Sequence, residues 1–567
     1  MRVISLSVEN FRGIKHCDIN FPVKSNLICM IGSGDSTKTT ILNAIEWALW
    51  PSWNLQVSDN DFYRSNTNEK IIIEVTLTQV ANALLTQEKF GLYQRSGAIE
   101  PSENDEPTDD DPACITIRLS IESDLDPRWE VICNRLEPKP ISNRDRQALA
   151  FSVIGQNCER DFVWNRLSVL QRFAESKEII NDALISTLRN ASAKADLSGL
   201  DDVSSKVLEI GNDYGVDFEG NIQNRLFINS SSISSSIGLF DQNAPLLQRG
   251  KGSQRLVSMG LNLNATNNNA VLLIDEVENG LEPYRLRSLI NKLREREPNN
   301  GQVIMTTHSP VVVAECKNTE LFIVRSTKGI TTLQSLEYQS KPENQKTQAH
   351  IRSNPEAYLS KRLIICEGKT EIGFIRALDS YLQEKEQYRM AYMGVSVCDG
   401  NGDKIFDTAK HFVSCGYDVC LFLDSDKKAT EKKKAELKET LKIPIFDWEE
   451  GNSIEEQLFQ DVSNSIAEIL IQIPIDDRNF QSVLNKLKHL NIDVSGTTIG
   501  LSRLNERERK SIGTLAKTNT KENKPWYKRI DLGELLGNVI FAHWDEIDEN
   551  SMTKKTIAGL MNWIYQK

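Results

Sequence analysis

Ile31-Gly32-Ser33-Gly34-Asp35-Ser36-Thr37-Lys38-Thr39-Thr40 decides the fold of the N-terminal half of this chain. The apolar run Leu27–Ile31 before it has the length of a buried strand. Thr39–Trp50 after it carries Ile41, Ile45 and Leu49 at helical spacing. A glycine-rich turn between strand and helix offers backbone N–H groups at a helix N-terminus, where an anion is favoured. The spacing is G-x-x-x-x-G-K-[ST] with one departure: Thr37 stands where the second glycine is expected. In such a loop the lysine reaches the outer phosphates of a nucleotide and the following hydroxyl holds Mg²⁺, roles that fall to Lys38 and Thr39. Taken alone, the loop also reads as an ordinary turn.

Three further pieces follow in order. Val271–Ile274 is an apolar strand ending in Asp275-Glu276; there Asp275 would complete the Mg²⁺ shell and Glu276 would polarise an attacking water. Before it, Gln248-Arg249-Gly250-Lys251-Gly252-Ser253-Gln254-Arg255 opens a helix with a glycine-rich turn suited to a γ-phosphate. After it, the strand Gln302–Thr306 ends at Thr307-His308-Ser309-Pro310. At the start of the chain, two strands are expected around Glu9-Asn10-Phe11-Arg12-Gly13, and Ile71–Leu77 is another. Residues 102–112 read as an acidic surface loop, 160–215 as a helical insert and Ser230–Ser236 as a loop.

This set resembles the ABC-type ATPase heads of the SMC, RecF and OLD families over about residues 1–335. The resemblance rests on Asn10–Gly13, the phosphate loop, the Gly250–Arg255 signature, Asp275-Glu276 and His308. It implies ATP held by Gly32, Ser33, Gly34, Asp35, Ser36, Thr37, Lys38, Thr39 and Thr40. Asp275, Glu276 and His308 would join them, and Gly250, Gly252, Ser253 and Gln254 would act from a second head in a dimer. The signature reads Gly-Lys-Gly-Ser-Gln rather than Ser-Gly-Gly-Gln. With Thr37, this leaves nucleotide binding in place and points to slow hydrolysis.

Polar sequence with Pro342 and Pro355 nearby puts a domain boundary at about Ser340–Asn354. Beyond it Leu363–Cys366, Val395–Cys398 and Val419–Leu423 are short buried strands with helical stretches between them, a small parallel α/β unit. Acids follow each strand: Glu367-Gly368-Lys369-Thr370-Glu371, Asp399-Gly400-Asn401-Gly402 and Asp424-Ser425-Asp426. In a parallel sheet the C-terminal strand ends share one edge, so these loops are expected to converge. Clustered carboxylates repel unless divalent cations neutralise them. Further on, residues 503–529 hold nine Lys/Arg against three Glu, and Lys524-Pro525-Trp526-Tyr527-Lys528 sets aromatics beside charge, as a nucleic-acid contact can.

The ordered acids resemble the Toprim domain over about residues 360–460, and both constellations in one chain resemble the OLD (overcoming lysogenization defect) family of nucleases. The resemblance implies metal ligation by Glu367, Glu371, Asp424 and Asp426. Asn452-Ser453-Ile454-Glu455-Glu456 adds Glu455 as a further ligand, with Glu456 the close alternative, and Asp399 either shapes the site or joins a second Mg²⁺ or Mn²⁺ ion. An active-site lysine is expected at Lys524 or Lys528. The implied architecture is α/β throughout: an ABC-type ATPase domain at 1–345 with a helical dimerisation insert at 160–215, a Toprim domain at 346–465, and a helical, partly basic region at 466–567. The implied activity is an ATP-binding, metal-dependent DNA endonuclease, with Glu367, Asp424, Asp426, Glu455, a C-terminal lysine and Glu276 as its catalytic groups. Proteins of this kind act in phage defence, as Gabija-like or retron-associated effectors. Their partners are DNA, a second copy of the chain, and a helicase-like protein or a retron reverse transcriptase with its nucleic acid. The alternative is a RecF/SMC-like ATPase of repair or chromosome maintenance whose Toprim unit only binds DNA.

Composition bounds these readings. The chain has 567 residues, 39% hydrophobic and 26% charged, enough for several packed domains. No apolar run approaches a membrane span and the N-terminus has no secretory pattern. Ten cysteines without a C-x-x-C pair argue against a zinc ribbon, and the cytoplasm is the expected compartment. A net charge of −12 fits a protein that touches DNA locally rather than one that coats it.

Overall fold

The computed structural model describes residues 1–567 apart from 23–24, 98–105, 108–112, 150, 155–158, 165–168, 174–196, 228–235, 266–269, 296–300, 386, 489, 491, 496–497, 503, 520–523 and 567. It divides into two compact units, Met1–Gln348 and Ala349–Lys567.

The first unit is built on a sheet of thirteen strands among the described residues. One half is parallel: Leu321–Thr327, Leu27–Ile31, Gln302–Thr306, Val271–Ile274 and Phe151–Ile154 lie side by side in that order. Leu27–Ile31, Gln302–Thr306 and Val271–Ile274 are buried at every position, which is why each reads in sequence as an unbroken apolar run. The other half is largely antiparallel, with Arg2–Phe11 between Ile14–Asn20 and Ile71–Thr78. Here inward and outward residues alternate, as in Ile71–Thr78. Helix Lys38–Ala48 buries Ile41, Leu42, Ala44, Ile45 and Trp47 against this sheet's core.

The second unit carries a four-stranded, all-parallel sheet in the order Val395–Asp399, Arg362–Cys366, Asp418–Phe422, Ile445–Phe446. Helices Lys369–Glu384, Ile405–Ser414 and Lys428–Thr440 connect its strands. The helices Ile454–Asp461, Asn464–Asp477, Glu506–Lys517, Ile530–Ala542 and Met552–Tyr565 share one hydrophobic core with the sheet. Residues 466–567 are therefore not a body apart from the α/β region. Helix Ile530–Ala542 lies so close to helix Lys369–Glu384 that a Cβ on Gly533 would sit 2.4 Å from the Thr370 carbonyl oxygen.

Three expectations change. The polar stretch at 340–355 is a helix, Lys341–Ser353, with Thr347 and Ile351 buried, and the division between units falls inside it. In the stretch 160–215 the described residues form helix Asp201–Asp213, 3₁₀ turns at Glu159–Phe162, Val169–Arg172 and Ser198–Leu200, and a short strand, Val163–Trp164; 174–196, the middle of the expected helical insert, lies outside the described residues. Ser236 begins a strand rather than ending a loop; the rest of that serine-rich run, and most of the acidic loop at 102–112, lie outside the described residues.

Candidate functional site

In the first unit the phosphate loop leaves strand Leu27–Ile31 through Gly32, whose φ of 143° and whose approach to the Val324 carbonyl leave no room for a side chain: a Cβ there would lie 2.5 Å from that oxygen. Thr37 adopts the left-handed conformation, φ 66° and ψ 15°, despite its β-branch. Its hydroxyl donates to the Ser36 carbonyl at 2.6 Å and meets the Thr331 hydroxyl at 2.9 Å, contacts that hold a conformation costing about 1–2 kcal/mol for an L-residue. Lys38 is buried and donates to the carbonyls of Gly32 and Ser33 and to Ser36 Oγ at 2.9–3.0 Å. Burial lowers its pKa to about 8, while Asp275, Glu278, Asp35 and Glu276 pull it back up. Thr39 and Thr40 follow in the first helical turn.

The strand-end acids meet this loop. Asp275 Oδ1 accepts from Thr39 Oγ1 at 3.0 Å and from Thr306 Oγ1 at 2.7 Å, and Glu276 N donates to the same Thr306 hydroxyl at 2.8 Å. The loop, the acid pair and the end of strand Gln302–Thr306 thus form one connected hydroxyl–carboxylate network. His308 is exposed beside it, with its backbone N–H on Glu278 Oε1 at 2.6 Å. Glu278 also accepts from Thr307 Oγ1, a support that the sequence reading passed over. Arg255 closes the signature, and its guanidinium donates to the carbonyls of Asp275 and Glu276 and ties the signature helix to the acids. Gly252 packs on the Gly280 carbonyl, Gly250 is open, and Ser253 Oγ accepts from Arg285. Gln254 differs from expectation: its buried amide donates to the Leu247 and Arg249 carbonyls and shapes its own turn.

In the second unit the strand-end acids do converge. Glu367 Oε2 accepts the backbone N–H of Asp424 at 3.1 Å, and Asp424 Oδ1 accepts that of Ile454 at 2.8 Å, so three chain segments are joined at one edge. Glu371 and Glu455 are buried, and neither oxygen of either carboxylate has a hydrogen-bond partner. Burial raises the Glu371 pKa to about 7, with Glu455 and Glu367 adding to the rise and Lys528 opposing it. Asp424 is pushed well above the carboxylate range by burial and by Glu371, Glu455 and Glu367. Lys528 is held above the ordinary lysine value: desolvation opposes this, and Glu455, Glu371, Asp424 and Glu367 outweigh it. Thr370 Oγ1 donates to the Tyr527 carbonyl at 3.0 Å, which fastens the Lys528 segment to the helix that bears Glu371.

Among the described residues no three His, Cys, Asp or Glu side chains are arranged to hold a metal ion as they stand. The donor chemistry nonetheless fits a divalent cation, because two buried carboxylates without partners are the groups such an ion satisfies. The four acids around Lys528 are Glu367, Glu371, Asp424 and Glu455. Asp426 is not among them: it pairs with Lys517 at 3.2 Å. Asp399 shapes its own turn, accepting from Asn401 N at 2.8 Å.

The structure separates the pairs that sequence left open. Glu456 takes part in the capping box of helix Ile454–Asp461 with Ser453, accepts from Thr514 at 2.7 Å and pairs with Lys517 at 2.7 Å, whereas Glu455 has no such partners. Lys528 lies with the acids; the Lys524 carbonyl instead accepts from Arg478 and Lys486. Trp526 and Tyr527 are 1% and 0% exposed, and Tyr527 Oη donates to the Leu470 carbonyl, so these aromatics are core and not a surface for bases. Two residues were missed. Lys517 lies within the basic segment, and the Asn505–Glu508 capping box marks its helix in the sequence. Lys434 is buried beneath the Asp424–Asp426 loop, on Ser425 Oγ at 2.8 Å and Asp447 Oδ2 at 3.0 Å.

Comparisons with known proteins bear on the first unit. The family described as "AAA domain, putative AbiEii toxin, Type IV TA system" matches residues 159–314, and a second family, described as "AAA domain", matches residues 5–198. The first unit carries an AAA-type ATPase domain. Domains of this type bind nucleotide, ordinarily with Mg²⁺, and the two matched stretches contain the phosphate loop and the Asp275-Glu276 pair. Among solved structures, the SMC head bound to the C-winged helix domain of ScpA is 14% identical with a TM-score of 0.39, covering 60% of this chain and 98% of that one. The SMC head domain from Thermotoga maritima is 14% identical with a TM-score of 0.31, covering 60% and 100%. The Smc head domain with an extended coiled coil derived from Pyrococcus furiosus is 12% identical with a TM-score of 0.37, covering 62% and 99%. No curated protein matches the chain. Among the described residues no helix is long and apolar enough to cross a membrane.

Proposed function

We propose that the chain couples its AAA-type ATPase domain to a divalent-metal-dependent DNA endonuclease of the OLD type, with the second unit as a Toprim centre. One observation carries the nuclease half: Glu371 and Glu455 are buried without hydrogen-bond partners, in one electrostatic group with Asp424, Glu367 and Lys528. Mg²⁺ or Mn²⁺ bound there would supply Lewis-acid stabilisation of a phosphodiester and an activated water. Glu367, Glu371, Asp424 and Glu455 would hold the ion, and Lys528, kept charged by them, would neutralise the phosphate oxygens. In the ATPase domain Lys38 would release the loop carbonyls to meet nucleotide phosphates, Thr39 and Asp275 would hold Mg²⁺, and Glu276 would orient water. The Gly250–Ser253 turn would act from a second head in a homodimer. A role in phage defence, beside a helicase-like protein or a retron reverse transcriptase, belongs to the same reading.

The comparisons back the second reading better, that of a RecF/SMC-like ATPase of repair or chromosome maintenance whose C-terminal unit only binds DNA. Both family matches fall in the ATPase part and neither reaches the carboxylates. Supercoiled plasmid DNA incubated with the full chain and Mg²⁺ or Mn²⁺ separates the two. The nuclease reading expects nicking that Glu367→Ala and Asp424→Ala abolish. DNA binding without nicking overturns it in favour of the second; nicking at the wild-type rate by either variant overturns the assignment of these acids as the centre.

A further inference from the structure

Neighbouring glutamates on one helical turn, Glu455 and Glu456, are treated in opposite ways. Glu455 has no partner for either oxygen. Both oxygens of Glu456 are engaged: Oε2 accepts from Ser453 N at 2.9 Å and from the Lys517 ammonium at 2.7 Å, and Oε1 accepts from Thr514 Oγ1 at 2.7 Å. The same ammonium reaches Asp426 Oδ2 at 3.2 Å. Lys517 is held there by a tight helix contact. Helix Glu506–Lys517 meets helix Ile454–Asp461 at Gly513, where a Cβ would lie 2.5 Å from the Glu456 Cα, and Lys517 follows one turn further on.

We infer that Lys517 is a built-in cation that stands in for a second divalent ion, so the centre takes a single metal ion at Glu367, Glu371, Asp424 and Glu455. Asp426 and Glu456 are the pair of carboxylates on which a second ion would otherwise rest. A monovalent ammonium between them supplies part of that charge and blocks the position. The two halves of the site are thereby distinct: one pair of acids is neutralised by the protein, and the other pair, Glu371 and Glu455, is left without a partner. This rests on the metal-dependent reading above.

The test counts ions rather than turnover. Mn²⁺ is titrated into the full chain without nucleotide, and free Mn²⁺ is read by electron paramagnetic resonance. The Glu371→Gln/Glu455→Gln double variant gives the background of all other sites. Wild type is expected to bind a single ion above that background, and Lys517→Met, with Asp426 and Glu456 released, a second one. Lys517→Gln, which keeps a hydrogen-bond donor for Glu456, is the parallel variant should Lys517→Met melt early, and it must behave in the same way. Two ions above background in wild type, or no added ion in a folded Lys517 variant, overturns the inference and leaves the metal-dependent reading standing. No difference between wild type and the double variant overturns that reading and the inference with it.

Discussion

Gly513→Ala is the perturbation with the most direct steric content. In a helix interior alanine is favoured over glycine by about 0.5–1 kcal/mol. At this position the added Cβ would lie 2.5 Å from Glu456 Cα, 2.6 Å from the Glu455 carbonyl oxygen and 2.7 Å from Glu456 N. All three atoms are backbone, so no side chain can turn aside, and the two helices must separate. Overpacking of this kind costs about 1–3 kcal/mol, which exceeds the propensity gain. The expected net loss is about 1–2 kcal/mol, a fall of roughly 2–8 °C in the melting temperature of a unit of this size. The separation would also draw Lys517 from Asp426 and Glu456, so Mn²⁺ uptake should rise as stability falls. Scanning calorimetry of wild type and variant, with Mn²⁺ uptake measured well below both transitions, makes the check. A variant as stable as wild type, or more stable, would mean that propensity wins and that the two helices are not in backbone contact.

The pKa of about 8 for Lys38 means that nucleotide binding, which needs the charged ammonium, should take up a proton near that pH; affinity should then fall by up to about tenfold per pH unit above it. Isothermal titration in buffers of different ionisation enthalpy reads this, and an affinity flat from about pH 7 to 9 contradicts it. Thr37→Gly should raise ATP turnover more than it changes affinity, from a wild-type rate well below ~1 s⁻¹, because the left-handed loop position would no longer carry a β-branch. Brisk wild-type turnover that Glu276→Gln eliminates would refute the slow-hydrolysis account. Glu371 has a folded pKa raised from 4.5 to about 7, so the stability it contributes is full below about pH 4.5 and is lost as pH rises through about 7. Glu371→Gln should reduce that loss, leaving the part due to Asp424, and stabilise the metal-free protein above pH 7 by up to ~3 kcal/mol, measured by urea unfolding at the two ends of the window; a profile as steep in the variant as in wild type assigns the titration elsewhere.

The parallel strands were legible because strands covered on both faces read as apolar runs. Leu27–Ile31, Val271–Ile274 and Gln302–Thr306 were placed to within a residue, and so were the acids at the strand ends of the second unit. Choices set by distant packing were not legible. Glu455 and Glu456 are adjacent and chemically alike; the helix Glu506–Lys517, some 50 residues on, decides between them by engaging one. Trp526 and Tyr527 looked like a nucleic-acid contact because lysines flank them, yet burial of two large rings outweighs what the neighbours suggest. The stretch Lys341–Ser353 is polar on most of its faces and reads as a linker, and its helix was hidden because only a few positions, Thr347 and Ile351 among them, are buried. Thr37 holds a positive φ that its β-branch disfavours, and the Thr331 hydroxyl that helps hold it there comes from a strand nearly 300 residues away.

Anomalous scattering from crystals grown with Mn²⁺ tests most directly whether the partnerless carboxylates hold the metal of a nuclease centre. The account predicts a peak bounded by Glu371 and Glu455 beside Asp424 and Glu367, which disappears in Glu371→Gln/Glu455→Gln. A structure at saturating Mn²⁺ with no peak there, and with the two glutamates still buried and without ion or water between them, would contradict it.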